Sequence, residues 1–202
     1  MEKRLKINVK YKPGDKIGDR FVYIDQSGKY IMKITKLDTK FEEKMFDQET
    51  EAGKLAAKIG VTFPIVDHWK CKEKTGYGVT IQERLEITLE EYVKKFGVTC
   101  QDVVAIILQI ENIVKMLECA GIIHNDLHIG NIMLDDRPNP IKLELSTGTK
   151  YLYVIDFDMS IIDPNISSEE PTMETVMAKQ RDHGILFENT VMELLKKIKS
   201  EK

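Results

Sequence analysis

The chain has 202 residues, of which 42% are hydrophobic and 31% are charged, and its formal net charge is −3. This composition is typical of a globular chain that buries a core, as one domain or as two small lobes around a shared cleft. The near-neutral charge excludes a strongly basic nucleic-acid-binding protein. The longest apolar run, residues 103–108, is too short to cross a membrane.

The cysteines indicate a compartment. Cys71, Cys100 and Cys119 share no close spacing, so they predict neither a disulfide framework nor a zinc site. Free cysteines favour a reducing compartment. Charges recur throughout residues 1–16, where a signal peptide would have an apolar segment. We therefore expect the protein to work in a cytosol, either of the cell that makes it or of another cell.

The first half of the chain predicts an antiparallel sheet with one helix. Period-two alternation of apolar residues is typical of strands, and an apolar helical repeat among carboxylates is typical of an amphipathic helix. Pro13-Gly14 is expected to break the first strand, and residues 25–28 are expected to form a turn. The predicted strands are residues 4–11, 21–25, 29–35, 64–69 and 77–83, and the predicted helix is residues 41–59.

Two helices are predicted next. Residues 89–96 form a short helix for which Thr88 is a suitable N-cap. Residues 100–120 have a wide apolar stripe, and Gly121 is suited to end this helix. The predicted stripe consists of Val103, Val104, Ile107, Leu108, Ile110, Val114 and Leu117.

The polar side chains that could take part in a reaction are concentrated in residues 121–134. These residues read G-I-I-H-N-D-L-H-I-G-N-I-M-L. His124, Asp126, His128 and Asn131 lie close together here, with apolar residues on either side. An alternation of apolar, polar and apolar residues is typical of a loop that the core holds at both ends.

A second polar signal follows a strand predicted at residues 151–155, which delivers Asp156 to its C-terminal end. Two carboxylates and an amide in this order suit metal-assisted phosphoryl transfer. Asp126 would orient an attacking hydroxyl, while Asn131 and Asp156 would hold Mg²⁺ against nucleotide phosphates.

The order D-x-x-x-x-N followed by D-F is the order in protein kinases, and the chain resembles the protein-kinase-like superfamily over residues 21–195. The resemblance implies an α+β, two-lobed fold. Residues 1–87 would form an N-lobe with a five-stranded antiparallel sheet, the helix αC and a hinge. Residues 88–202 would form a reduced helical C-lobe that ends at helix αF, predicted at 173–199 and containing Asp182.

The resemblance also implies roles for residues upstream. Lys33 would contact the α- and β-phosphates of ATP, and Gly18 and Val22 would border the nucleotide. Glu51 would hold the ammonium of Lys33, with Glu49 as the alternative, because E-A-G-K-L-A-A-K-I-G-V-T-F-P looks like the corresponding helix of atypical kinases.

The remaining implied site residues lie at the hinge and in the loop. Gln82 would be the gatekeeper, and the backbone of Glu83 and Leu85 would bind the edge of adenine. His124 would belong to the catalytic set with Asp126. The implied cofactors are ATP and Mg²⁺, which Mn²⁺ could replace.

Four features depart from the kinase pattern. The sequence G-x-G-x-x-G is absent, so phosphate binding by backbone amides is less well provided for. Asn125 replaces the Arg of H-R-D, which argues against switching by activation-loop phosphorylation. Asp158 replaces the Gly of D-F-G, which predicts a less flexible loop. Residues 135–150 predict an inserted hairpin.

The resemblance implies a minimal Ser/Thr protein kinase, similar to the kinases that bacterial pathogens inject as effectors or to compact kinases of large DNA viruses. We expect a monomer that phosphorylates a folded host or partner protein, with residues 135–150 and 163–172 as recognition surfaces and an activating partner as a possible addition. Neither nucleic acid nor a membrane span is expected.

The motif D-L-H-x-G-N is similar to the corresponding motif of aminoglycoside and choline phosphotransferases, which leaves a small-molecule phosphotransferase as an alternative. A non-catalytic binding module with a kinase fold is the other.

Overall fold

The computed structural model describes residues 11–17, 21–71, 76–163, 166 and 194. Within them the fold is mixed α and β, with three α-helices, a five-stranded antiparallel sheet and a second, four-stranded sheet. The predicted α+β class and five-stranded sheet are thereby confirmed. Several predicted features lie outside the described residues: Gly18, most of the strand 4–11, most of the segment 163–172, and Asp182 with most of the helix 173–199.

The five-stranded sheet has the order β1-β2-β3-β5-β4, and every neighbouring pair is antiparallel. Its core side is formed by buried side chains such as Met32, Val79 and Ile81. The strands are β1 Pro13–Ile17, β2 Val22–Asp25, β3 Tyr30–Leu37, β4 Ile65–Cys71 and β5 Gly76–Glu83.

Strand β1 corrects the predicted strand break at Pro13-Gly14, because both residues belong to this strand. Pro13 begins this edge strand, where its missing N–H costs no ladder hydrogen bond, and the register shifts between Pro13 and Lys16. A Cβ on Gly14 would lie 2.8 Å from the carbonyl oxygen of Ile24, so glycine permits the close approach of the two strands. The sequence predicts a break here because proline and glycine commonly interrupt strands.

Helix α1, Lys40–Lys58, packs across the five-stranded sheet. Thr39 caps it: its hydroxyl accepts from the Glu42 N–H, and the Glu42 carboxylate accepts from the Thr39 N–H. The ring of Phe46 lies over Gly78, where a Cβ would come within 2.4 Å of the ring. This packing fixes which face of α1 looks toward the sheet.

Helix α2, Leu89–Phe96, and helix α3, Cys100–Cys119, follow. The predicted N-cap Thr88 is confirmed as a capping box with Glu91. The predicted stripe of α3 is wrong at Val104 and Leu108, which are exposed. The buried face instead runs through Val103, Ile106, Ile110, Ile113, Val114 and Leu117, whose spacings of three and four residues keep them on one side.

The remaining strands build a second sheet of order β6-β8-β10-β9 and a pair formed by β11 and β7. The predicted hairpin insertion is confirmed as β9 and β10, with Leu143 and Leu145 of β9 buried in the core beside α3. No described helix is both long and apolar enough to span a membrane. The strands are β6 Ile87–Thr88, β7 Ile122–Ile123, β8 Ile132–Asp135, β9 Lys142–Leu145, β10 Gly148–Val154 and β11 Ile161–Ile162.

Candidate active site

The polar loop lies between β7 and β8, and apolar side chains hold it at both ends and in its middle. Ile123 and Ile132 are buried at the ends, and Leu127 and Ile129 are buried within the loop. The intervening polar side chains are therefore held in fixed positions. This arrangement is the one predicted from the alternation in the sequence.

Asp126 and Asn131 meet within this loop. The Asn131 side-chain nitrogen donates to the backbone oxygen of Asp126 at 2.9 Å and to its Oδ2 at 3.3 Å. Asn131 is buried, whereas the side chain of Asp126 is 40% exposed. The buried amide thus orients a carboxylate that remains accessible to a substrate.

His124 is fully buried, which corrects its assignment to the catalytic residues. Its Nε2 lies 3.0 Å from the carbonyl oxygen of Ile155 and therefore carries the proton, and its ring packs 5.0 Å from that of Phe157. Since no substrate can reach a fully buried ring, we assign His124 a positioning role. It joins the loop to the segment that carries Asp156.

Two non-glycine residues adopt a left-handed backbone at this junction. Asn125 and Asp156 both have φ near 64°. Asn and Asp tolerate this conformation better than other residues, and such positions concentrate at functional sites. The Asn125 side chain donates to the carbonyl of Met159 at 3.2 Å. The chain therefore turns sharply after β10 and Asp156 reaches the five-stranded sheet.

Lys33 of β3 joins the two sheets. Its ammonium donates to Glu49 Oε1 and to Asp156 Oδ1, each at 2.6 Å. The side chains of Lys33, Glu49 and Asp156 are only 23%, 13% and 18% exposed, respectively. Val22 of β2 is the cross-strand partner of Lys33, so it lies beside this cluster, and its contact with a nucleotide remains a prediction.

The predicted partner Glu51 is wrong, and the alternative Glu49 is the residue that binds Lys33. Glu49 shares its helix face with Phe46 and Gly53, which pack against β5 and β4 of the sheet. Glu51 lies two residues further, roughly 200° around the helix, and its side chain is exposed.

The electrostatics of the cluster follow from its burial and from the opposite charges that it brings together. Burial lowers the pKa of Lys33, but the charges of Glu49 and Asp156 outweigh burial and raise its pKa above the usual value. Burial raises the pKa of Glu49 despite the attraction of Lys33, and the charges of Asp156 and Asp158 add to this rise. One ammonium thus faces more than one carboxylate.

Asn131 and Asp156 fit a magnesium ion by donor chemistry. Both supply oxygen atoms, which Mg²⁺ prefers, and Mg²⁺ commonly takes only one or two protein ligands beside phosphates and water. The Asn131 nitrogen is committed to Asp126, which leaves its Oδ1 for a metal. The described residues contain no cluster of three His, Cys, Asp or Glu that would form a complete protein cage.

The predicted hinge residues, 82–85, lie at the end of β5 and directly after it. The Gln82 side chain donates to the carbonyl of Phe63 at 3.2 Å, Leu85 is buried, and Glu83 is exposed with its carboxylate bound to Arg137. The expected contacts of Glu83 and Leu85 with adenine remain predictions.

Two positioning contacts are not predicted from the sequence. The Gln48 side chain donates to the carbonyl of Ser160 at 2.7 Å, which ties α1 to the segment after Asp156. Arg137 binds both Asp135 and the hinge. The contact of Gln48 has no signal in the sequence, because Gln48 is one polar residue on a helix that carries many. The only local sign of the Arg137 contacts is the spacing D-x-R at residues 135–137.

Comparison with known proteins gives no assignment: no protein-family model matches the chain, and no curated protein matches it.

Proposed function

We propose that this protein is an ATP- and Mg²⁺-dependent phosphotransferase with a two-lobed, protein-kinase-like fold, and that its acceptor is a Ser or Thr hydroxyl of a protein. The observation that carries this proposal is the position of Lys33 between Glu49 and Asp156. These three side chains come from a strand, a helix and a loop, and Lys33 and Asp156 are 123 residues apart. A phosphotransferase needs a phosphate-binding ammonium and a metal-binding carboxylate side by side, and the contact of Lys33 with Asp156 supplies that pair.

Each residue then has a distinct role. Lys33 binds nonbridging phosphate oxygens of ATP, and Glu49 holds the ammonium in place. Asn131 and Asp156 hold Mg²⁺, which when bound neutralises the charge that develops on the phosphates. Asn131 also orients Asp126 through the hydrogen bonds described above.

Asp126 orients the acceptor hydroxyl and receives its proton as the oxygen attacks the γ-phosphorus. A new phosphorus–oxygen bond forms, the bond between the γ-phosphorus and the bridging oxygen breaks, and ADP leaves with that electron pair. The exposure of Asp126 suits this role because the acceptor must reach it.

For the acceptor we propose a folded partner or host protein in a cytosol, contacted by a monomer of this chain. The order of Asp126, Asn131 and Asp156 supports a protein kinase. The wording D-L-H-x-G-N is shared with small-molecule phosphotransferases, so the test includes their substrates.

Transfer from radiolabelled ATP tests the proposal. Wild type should label itself or a generic protein substrate. Asp126→Ala should lower kcat by about 10²- to 10⁴-fold, which is the usual contribution of a general base, while ATP still binds. Kanamycin and choline serve as small-molecule acceptors. Equal labelling by wild type and Asp126→Ala would refute the assignment, and labelling of a small molecule alone would replace the protein acceptor.

A further inference from the structure

Arg137 follows β8 at the start of the hairpin insertion, and its guanidinium reaches the hinge. Nε and Nη2 donate to the two carboxylate oxygens of Asp135 at 2.7 and 2.9 Å. Nη1 donates to Glu83 Oε2 at 2.6 Å, and Nη2 donates to the carbonyl of Arg84 at 2.7 Å. One side chain therefore binds the end of β8 and the end of β5 together.

Aromatic rings hold the same guanidinium from another side. It lies 4.1 Å from the centroid of the Phe63 ring, and Phe63 stacks on Tyr153 at 4.5 Å. The Tyr153 hydroxyl donates to the backbone carbonyl of Arg137 at 2.8 Å. Both the backbone and the side chain of Arg137 are thus fixed.

This arrangement differs from an ordinary surface ion pair. Isolated exposed pairs contribute little, but a bidentate, ring-stacked arginine in a network keeps a defined geometry that lysine cannot reproduce. The side chain of Arg137 is 40% exposed, while that of Asp135 is 9% exposed. Burial raises the pKa of Asp135, but the hydrogen bonds from Arg137 outweigh burial and lower it, so the carboxylate stays charged.

The contact fixes the peptide groups of the hinge. The Arg84 N–H donates to the carbonyl of Lys29 at 2.8 Å, and its carbonyl accepts from Arg137. Both backbone groups of Arg84 are therefore committed, which prevents rotation of the peptides on either side. Those peptides carry the backbone groups of Glu83 and Leu85.

We propose that Arg137 is a positioning residue for purine recognition, holding the hinge so that the backbone groups of Glu83 and Leu85 can bind the edge of adenine. This inference rests on the proposed function. It gives the insertion a role in the nucleotide site, in addition to its role in the core.

The test compares a ligand with a base and one without. Calorimetric titrations of the full chain with Mg·ATP and with Mg·tripolyphosphate would be made for wild type, Arg137→Ala, Arg137→Lys and Lys142→Ala. Lys142 is the matched control, since it pairs with Glu144 on the exposed face of the same hairpin. Arg137→Ala and Arg137→Lys should weaken ATP binding about tenfold, the effect of losing one hydrogen bond to the base. Binding of tripolyphosphate should change less than about twofold, since Lys33 and Asp156 lie at the phosphate end.

Four outcomes would overturn the inference. They are unchanged ATP binding by Arg137→Ala, an equal loss for both ligands, the same loss in Lys142→Ala, and wild type that binds tripolyphosphate as tightly as ATP. If wild type binds neither ligand, the proposed function itself fails. If Arg137→Ala does not fold, as judged by circular dichroism, Arg137→Lys decides. Lysine cannot bind Asp135, Glu83 and the Arg84 carbonyl together, so it should weaken ATP binding selectively, and no change would count against the inference.

Discussion

At the scale of single residues, the position of Lys33 depends on one carboxylate of α1. Glu49 lies on the helix face that packs toward the sheet, whereas Glu51 faces solvent. Both are glutamates on the same helix, so they form a natural pair for substitution. Only the loss of Glu49 removes a hydrogen bond from the buried ammonium.

Glu49→Gln should therefore lower kcat/KM for ATP by about 10- to 100-fold, the cost of losing a charge-assisted hydrogen bond at the reacting end. Glu51→Gln should stay within about twofold of wild type, since its side chain touches nothing in the site. Steady-state kinetics with varied ATP would measure both. Equal effects of the two substitutions would contradict the assignment of Glu49.

The sequence predicts the acidic and amide residues of the site better than their supporting contacts. Asp126, Asn131 and Asp156 follow from the spacing D-x-x-x-x-N and from the strand before Asp156. Glu49 does not follow from the sequence. On a helix with many glutamates, the sequence does not show which of two glutamates, Glu49 or Glu51, faces the sheet. The burial of His124 is also hidden from the sequence, since a histidine in a polar motif reads as a catalytic group.

At the scale of elements, the hairpin of β9 and β10 is attached to the helices by its turn. Asp102 caps α3 with Thr99, and it also accepts from the backbone N–H and the hydroxyl of Ser146, each at 2.7 Å. Tyr92 of α2 contacts Thr147 in the same turn. The start of one helix and the tip of the insertion therefore share one buried carboxylate.

This carboxylate predicts a pH dependence of stability. Burial raises the pKa of Asp102, but the hydrogen bonds from Thr99 and Ser146 outweigh burial and hold its pKa below the usual 3.8. Since the folded pKa is lower than the unfolded one, the stabilisation is present above about pH 4 and is lost as pH falls through the folded pKa. Asp102→Asn should lower the free energy of unfolding by about 1–3 kcal/mol at pH 7, and the deficit should shrink below pH 4.

Urea denaturation of wild type and Asp102→Asn at pH 7, 5, 4 and 3 would measure this difference. Glu51→Gln is the control for the removal of one exposed negative charge. A deficit that is the same at pH 7 and pH 3 would mean that the carboxylate charge contributes nothing.

The sequence predicts the boundaries of helices and strands correctly where nearby residues determine them. The helix after Thr88 and the hairpin insertion are correctly predicted because capping residues and turn residues act over a few positions. Strand β1 is not, because its formation depends on pairing with β2, which no local pattern encodes. The stripe of α3 is predicted too wide because apolar residues also occur on its exposed side.

At the scale of the whole molecule, nucleotide binding should stabilise the fold. A ligand at about one hundred times its Kd adds roughly 2.7 kcal/mol, which raises Tm by about 5–10 °C for a chain of this size. We expect such a rise with Mg·ATP and a smaller one with ATP in EDTA. Asp156→Ala should remove the part that depends on Mg²⁺, because it removes a proposed metal ligand.

Differential scanning fluorimetry with wild type and Asp156→Ala would measure these shifts. Glu51→Gln again serves as the control, because it should respond to Mg·ATP as wild type does. The absence of any shift in wild type at millimolar Mg·ATP would favour a non-catalytic binding module.

The division of the chain at residues 87 and 88 into two lobes remains a prediction. The contact of Lys33 with Asp156 could be anticipated only through a resemblance of motifs, because contacts between distant segments leave no periodic signal in the sequence. No resemblance of motifs indicates the contacts of Arg137.

The separation of Lys33 and Asp156 by 123 residues also has a consequence in time. During synthesis the strand with Lys33 and the helix with Glu49 leave the ribosome first, and the segment with Asp156 follows Lys33 roughly 6 to 25 s later at ordinary elongation rates. Until then Lys33 lacks one of its two carboxylate partners, and the proposed metal site is incomplete. A nascent chain therefore has no complete candidate site, and the proposed phosphoryl transfer requires the segment that carries Asp156.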